Sequence, residues 1–318
     1  MDSTTNSKAR SGMAVTNAAP GRIPYPIHVD GQIAWVHDEG HDAGYFHTYD
    51  ALRAAGPDDA PRTVHIFLPK SYGKADQAYP VLYMNDGHTV FWPGGLAGKT
   101  WDVAERLGRL RAVEKLPEFI VVAIHPLQRD REYTHASWAP GRECCGLLGY
   151  AAWLARSLKP FVDGKYRTLR GHEHAAVAGS SHGGLAAFYT AGVHGDAFGC
   201  AIAMSSSFWT GIDDTGDGGL LESSELIEAT RATLADRLRR PRLWIDWGMV
   251  RKGGEHNAVI EARACERGRE MRALLTGTFG YAEPRELRTF EDPEGMHDED
   301  SWGRRLELAL PWWLSAGA

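Results

Sequence analysis

HAAVAGSSHGGLAAFYT, residues 174–190, decides how the rest of the chain is read. An apolar run (Ala175 to Ala178) enters Gly179-Ser180-Ser181-His182-Gly183, and a helical pattern leaves it. That is G-x-S-x-G on a strand-to-helix turn, the context in which this motif carries chemistry. A serine on so sharp a turn occupies a strained backbone conformation. Glycine two residues before and two after removes the Cβ atoms that would block the neighbouring backbones. The Ser181 hydroxyl then projects above the sheet, and the amide of His182, at the start of the helix, faces developing negative charge. A Gly/Ser-rich loop without chemistry shares the same five letters, but not the flanking strand and helix.

Working outward, strand signals recur at 33–36, 62–68, 79–84, 119–125, 199–204, 242–247 and 287–290. Phe119-Ile-Val-Val-Ala-Ile-His125 is continuous and β-branched, the pattern of a strand covered on both faces. Helical patterns lie between the strands, near 101–111, 149–162, 224–239, 261–276 and 300–314. A long polar loop is expected over 126–142. Such alternation defines an α/β fold with a mostly parallel central sheet and helices on both faces. Chemistry in such sheets gathers at the carboxyl ends of the strands. Asp86 to His88, Ser181, Ser205 to Trp209, Glu255 and His297 all follow a strand.

The bulk properties narrow the function. The 318 residues, 43% hydrophobic with 11 Trp, suffice for one large core without staples. We expect one domain over 23–318 behind a flexible tail at 1–22. The tail has no apolar segment of the kind that directs secretion, and no run approaches a membrane span, so a cytoplasmic protein is expected. A net charge of −6 without a basic cluster argues against nucleic acid or an anionic membrane as partner. A homo-oligomer is compatible with this composition. Cys144, Cys145, Cys200 and Cys265 are too few and too oddly placed for a disulfide framework and read as idle thiols. His37, Asp38, His41, Asp42 and His47 do not have zinc-site spacing and read as a solvated turn. Asp213, Asp214 and Asp217 lack the calcium-loop pattern. No metal and no cofactor are expected.

A serine hydroxyl is a weak nucleophile and needs a base within hydrogen-bond reach. On this scaffold the partners follow in the order serine, acid, histidine. His182 belongs to the turn and His194 ends the following helix. His297, in Glu294-Gly-Met-His-Asp-Glu-Asp after the last strand, is the expected base rather than His256. The acid orients the imidazole and stabilises its charged form. Glu255, on the loop after Gly248-Met-Val-Arg-Lys-Gly-Gly, is the leading candidate. Asp246, inside the preceding strand, is the alternative, and a further carboxylate such as Glu261 is also open. The oxyanion needs a second donor beside the His182 amide, and the backbone N–H of His88 in Asn85-Asp-Gly-His88 is in position.

The segments LPKSYGKADQAYPVLYMNDGHTVF, IHPLQRDREYTH, LARSLKPFVDGKYRT, VAGSSHGGLAAFY and EGMHDEDSW occur in that order. They resemble the esterase family of the α/β-hydrolase superfamily, the group of enterochelin esterases, S-formylglutathione hydrolases, feruloyl and acetyl-xylan esterases and mycolyltransferases. The resemblance runs from about Thr63 to Trp313. It implies the α/β-hydrolase fold and serine ester hydrolysis by Ser181 with His297. It also implies an oxyanion donor at Gly87–His88 and a carboxylate shortly after Gly248. Here the chain departs from the family, with extra residues between Gly248 and Glu255.

The reaction that follows is acyl transfer through an acyl-enzyme on Ser181. An acyltransferase with a bound alcohol as acceptor uses the same geometry, and a non-catalytic binding protein keeps the fold without the chemistry. Trp92, Trp138, Phe208, Trp209 and Trp302 are candidates to wall an aromatic or acyl pocket. Without a separate lid segment, small soluble, aromatic-acyl or sugar-linked esters are expected ahead of triglycerides.

Overall fold

A computed structural model describes residues 23–74, 76–113, 116–213 and 219–315. The tail expected over 1–22, and Asp214 and Asp217 of the acidic loop, lie outside the described residues. The strands are β1 (Tyr25–Val29), β2 (Gln32–His37), β3 (Gly44–Leu52), β4 (Arg62–Pro69), β5 (Val81–Met84), β6 (Ile120–Ile124), β7 (Ala175–Ser180), β8 (Cys200–Met204), β9 (Arg242–Gly248) and β10 (Leu287–Asp292). They form one sheet in the order β1-β2-β3-β4-β6-β5-β7-β8-β9-β10. From β6 to β10 every neighbouring pair is parallel. The first four strands form an antiparallel meander that joins through β4 to β6.

The helices are α1 (Gly87–Val90), α2 (Val103–Val113), α3 (Arg129–Tyr133), α4 (Leu147–Trp153), α5 (Lys159–Lys165), α6 (His182–Val193), α7 (Glu225–Ala235), α8 (Glu261–Gly277) and α9 (Glu299–Leu314). One face of the sheet (Ile66, Tyr83, Val122, Val177, Leu243) packs against Leu154, Leu185, Phe188, Met271 and Leu275. The other (Phe67, Leu82, Val121, Ala176, Ile202) packs against Leu107, Leu306 and Trp313 of α2 and α9. Two covered faces explain the unbroken apolar strands, because every residue of β5 to β8 is buried. Among the described residues no helix is long and apolar enough to cross a membrane.

The order of the central strands positions the site. β5 lies between β6 and β7, so the chain leaves β5 to one side and returns to the other. Such a switch opens a crevice above the carboxyl ends of the two strands. Asn85 and Asp86 leave β5 there, and Ser181 leaves β7 beside them.

Three readings of the sequence are corrected. The segment taken as a solvated turn after His37 turns only briefly and then becomes β3. Its polar residues are held within the sheet layer, His47 Nδ1 on the Tyr166 hydroxyl at 3.2 Å and Thr48 Oγ1 on His65 Nδ1 at 2.9 Å. The loop expected over 126–142 contains α3. Cys144 and Cys145 are joined in a disulfide, their adjacent Cα atoms 3.8 Å apart, a pairing that spacing rules for separated cysteines overlook. Cys200 and Cys265 are free and buried.

A line of polar groups crosses the antiparallel side of the sheet. His37 Nε2 meets Thr48 Oγ1 at 2.9 Å, and His65 Nε2 meets His125 Nε2 at 2.9 Å. Burial, helped by the other imidazoles, pushes His65 down to about 3 and His125 down to about 4. Burial also brings His47 down to about 4. In the unfolded chain each ring returns to a pKa near 6.5. Between about pH 6.5 and 4 the unfolded chain therefore binds protons that the folded one refuses, and stability falls as pH falls through that window. We expect the melting temperature to be level above pH 7 and to drop by several degrees on acidification to pH 4.5. In His65→Gln the slope should be shallower, and an unchanged slope in scanning calorimetry would remove His65 from the account.

Candidate active site

The turn between β7 and α6 holds Ser181 at φ 55°, ψ −124°, a conformation sparsely populated by residues with a side chain and costing about 1–3 kcal/mol. Neighbouring segments hold it there. Ser181 donates its N–H to Met204 O at 3.0 Å, and its own carbonyl accepts from Leu185 and Ser207 N–H groups, each at 3.1 Å. A Cβ on Gly179 would collide with the Gly183 carbonyl, so the glycine at that position of the motif is obligatory. The same Gly183 carbonyl accepts from Asn85 Nδ2 at 2.8 Å, which ties the end of β5 to the serine turn.

Ser181 opens into a cavity of about 470 Å³ lined by Asp86, His88, Arg129, His297, Glu299 and Trp302, among others. His297 comes from the loop between β10 and α9, held by His297 N–H on Asn257 Oδ1 at 2.8 Å and Val250 N–H on Gly295 O at 3.1 Å. The ring is buried, and its Nδ1 lies 2.5 Å from Glu261 Oε2. With Nδ1 donating to a carboxylate, Nε2 keeps the lone pair, the tautomer a general base requires.

The carboxylate bonded to His297 is therefore Glu261 and not Glu255, the leading candidate from the sequence. After Gly248 the chain makes an exposed excursion and returns in a π-helical turn, His256–Ile260, that leads into α8. Glu255 starts that turn on the solvent side, exposed. Glu261, the first residue of α8, is fully buried. Burial works to raise its pKa, but the bonds from His297, the Arg305 charge and the Gly248 N–H together bring it below the usual carboxylate range. A signal for it was present in the sequence. Glu261 begins the stripe Ala264, Cys265, Gly268, Met271, Leu274 and Leu275 that α8 buries, and a glutamate heading an apolar stripe needs a partner.

Asp246, the alternative acid, is also buried but faces a different partner. Arg305 Nη1 lies 2.7 Å from its Oδ1, and Trp244 Nε1 donates to Oδ2 at 2.7 Å. Burial pushes Asp246 up to about 6, against the pull of Arg305. Ser205 joins the two carboxylate systems. Its hydroxyl donates to Glu261 Oε1 at 2.8 Å and accepts from Trp302 Nε1 at 3.1 Å and Arg305 Nη2 at 2.9 Å.

His88 lies in α1 and lines the cavity, beyond Asp86, which Arg129 clamps through Nε at 2.8 Å and Nη2 at 2.9 Å. His182 is the first residue of α6, where a backbone N–H has no acceptor within the helix. Its ring is buried, edge-on to Trp138 at 4.7 Å, and does not line the cavity. Of the expected aromatic wall only Trp302 lines the cavity. Phe208 is in the core, Trp209 packs by His182 at 5.7 Å, and Trp92 stands against His65 at 4.8 Å. Arg129 and Glu299 were not anticipated, because both sit among polar residues that read as surface. Glu299 accepts the Leu96 N–H at 3.2 Å, and Lys99 Nζ lies 2.6 Å from Asp298, so the loop of Gly94 to Ala97 is strapped beside His297. Among the described residues no group of three or more His, Cys, Asp or Glu side chains is placed to hold a metal ion.

The family described as "Putative esterase" matches residues 59–313. The protein YbbA of Bacillus subtilis (strain 168) is 25% identical over 153 residues, which are 46% of this chain and 58% of that protein, so the match spans little more than half of that relative. Among solved structures, an IroE-like serine hydrolase from Shewanella oneidensis superposes with a TM-score of 0.61 at 18% identity, covering 84% of this chain and 79% of that one. The siderophore hydrolase EstA from Aspergillus nidulans gives 0.60 at 19% identity, over 84% and 94% of the two chains. The enterobactin esterase FES from Shigella flexneri gives 0.57 at 18%, over 85% of this chain and 59% of that one. At these identities the shared property is the α/β-hydrolase fold.

Replacing each carboxylate separates their parts. Glu261→Gln should lower kcat roughly 10³-fold or more, as loss of a triad acid does. Glu255→Gln should leave kcat within about 2-fold, as surface changes do. Asp246→Asn should act first on the melting temperature, since it leaves Arg305 buried without its counter-charge. Steady-state kinetics beside thermal melts distinguish the three, and full activity in Glu261→Gln would refute the assignment.

Proposed function

The chain belongs to the esterase family, and from that premise we propose that it is a serine ester hydrolase with Ser181 as nucleophile, His297 as general base and Glu261 as the acid that orients the base. One observation carries the reading: a serine held at φ 55° on a strand-to-helix turn shares a cavity with a histidine whose Nδ1 is bonded to a buried glutamate. The order serine, acid, histidine along the chain supports it.

The chemistry follows from these positions. His297 Nε2 takes the Ser181 proton as Oγ attacks an ester carbonyl, and the backbone N–H groups of His182 and His88 hold the oxyanion. The imidazolium, stabilised by Glu261, returns the proton to the departing alcohol. Water then enters, gives a proton to His297 and attacks the acyl carbonyl, and the acid leaves as Ser181 recovers its proton.

The lining of the cavity supports a polar substrate. The Asp86–Arg129 pair, Glu299, His88 and His256 line it, beside the apolar Leu96, Ala97 and Trp302. A small soluble ester with polar substituents, aromatic-acyl or sugar-linked, fits such walls better than a long acyl chain.

The test is a panel of short-chain, aromatic-acyl and long-chain esters on the parent, Ser181→Ala and His297→Ala. Short and polar esters should be turned over in preference to long-chain ones, with kcat down roughly 10⁴-fold or more in both variants. Full activity in Ser181→Ala would overturn the nucleophile. Product analysis with a competing alcohol checks the acceptor, and ester exchange dominating over free acid would make the chain an acyltransferase.

A further inference from the structure

Behind the nucleophile stands a second serine that the mechanism above does not use. Ser207, in the loop after β8, is fully buried, and its N–H is bonded to the Ser181 carbonyl at 3.1 Å. Its hydroxyl oxygen lies 2.8 Å from His182 Nδ1 and 3.4 Å from Ser181 Oγ. The imidazole that follows the nucleophile in the motif is thus connected to the nucleophile through another hydroxyl. Resting on the reading of Ser181 as nucleophile, we propose that Ser207 is a further catalytic residue, its hydroxyl donating to Ser181 Oγ while His182 Nδ1–H donates to Ser207, and that this bond assists deacylation.

Proton counting is met when the single proton of the His182 ring sits on Nδ1. Burial, with the Arg129 charge nearby, pushes the His182 ring down to about 3, so it is neutral at working pH and carries one proton. When that proton is on Nδ1 it occupies a lone pair of Ser207 Oγ and frees the Ser207 proton for Ser181. Trp138 at 4.7 Å and Trp209 at 5.7 Å enclose the imidazole and hold it against Ser207.

The bond has unequal effects on the two halves of the reaction. In acylation Ser181 Oγ gains a bond to carbon, and a donor on that oxygen does not help it attack. In deacylation the bond between the acyl carbon and Ser181 Oγ breaks, and the electron pair stays on Oγ. His297 delivers the proton it took from water to that oxygen. Ser207 keeps its own proton throughout and stabilises the negative charge on Oγ until the transfer is complete. The separation of 3.4 Å is long for such a bond, as catalytic contacts often are before charge develops.

Ser207→Ala tests this with p-nitrophenyl acetate in stopped flow and with intact-protein mass measurement. We expect kcat to fall about 10-fold with KM falling in proportion, leaving kcat/KM within about 2-fold. A burst of nitrophenol and an acetyl adduct on Ser181 should accumulate. An unchanged kcat overturns the proposal. So does a fall of kcat and kcat/KM together without an adduct, which is what a merely structural serine would give. Should Ser207→Ala not fold, Ser207→Cys keeps a weak donor at the same place and reads the same split. Ser181→Ala run beside it keeps the two readings apart. Activity there overturns the nucleophile, whereas an inactive Ser181→Ala beside an unaffected Ser207→Ala overturns only the part given to Ser207.

Discussion

A carboxylate sealed from water must have its lone pairs met by donors, or it is expelled or protonated. Glu261 meets that demand from three separate parts of the chain: the His297 ring, the Ser205 hydroxyl and the N–H of Gly248 at the end of β9. The loops after β8, β9 and β10 are therefore registered against the first turn of α8 by one side chain. Ser205 extends the arrangement, since Trp302 and Arg305 of α9 fill both of its lone pairs and leave its proton only one direction. Arg305 in turn neutralises Asp246. Glu261 and the Asp246–Arg305 ion pair are thus one connected set of bonds, and the orientation of His297 is an outcome of all of it.

The serine turn solves a complementary problem on the other side of the cavity. A backbone held at φ 55° stays so only while its surroundings over-determine it. Met204, Ser207 and Leu185 bind the peptide groups of Ser181, and Asn85 binds the carbonyl of Gly183. These contacts reach from β5 and β8 to β7 between them. The strained serine therefore depends on the strand order, because only neighbours in the sheet can place those groups within bonding distance.

Buried polar groups fall into two kinds in this molecule. Around the cavity they are carboxylates compensated by basic side chains, Asp86 by Arg129, Asp246 by Arg305 and Asp298 by Lys99. Across the antiparallel strands they are histidines pushed toward neutrality by burial, bonded to hydroxyls and to each other. The first kind fixes the geometry of the loops around the cavity. The second ties polar strands together without placing charge in the sheet, and its cost appears only where acid supplies the missing protons.

Much of this was legible locally. The central strands are short and apolar on both sides, and their alternation with helical segments specifies a parallel sheet whatever the rest does. The serine turn was legible because its glycines answer a local steric demand, and the place of His297 beside the cavity because it lies on a glycine-bearing loop after the last strand. β3 was not legible, since His47 and Thr48 are polar letters whose partners come from distant segments. Nor was the acid. Glu255 stands on a flexible loop in the sequence, yet the π-helical turn carries the chain past it and sets Glu261 beneath the histidine. A carboxylate's role depends on which donors surround it, and Gly248, Ser205 and His297 become neighbours only after the strands have taken their places. Local sterics wrote the serine turn into the sequence, while the partners of Glu261 exist only in the folded arrangement.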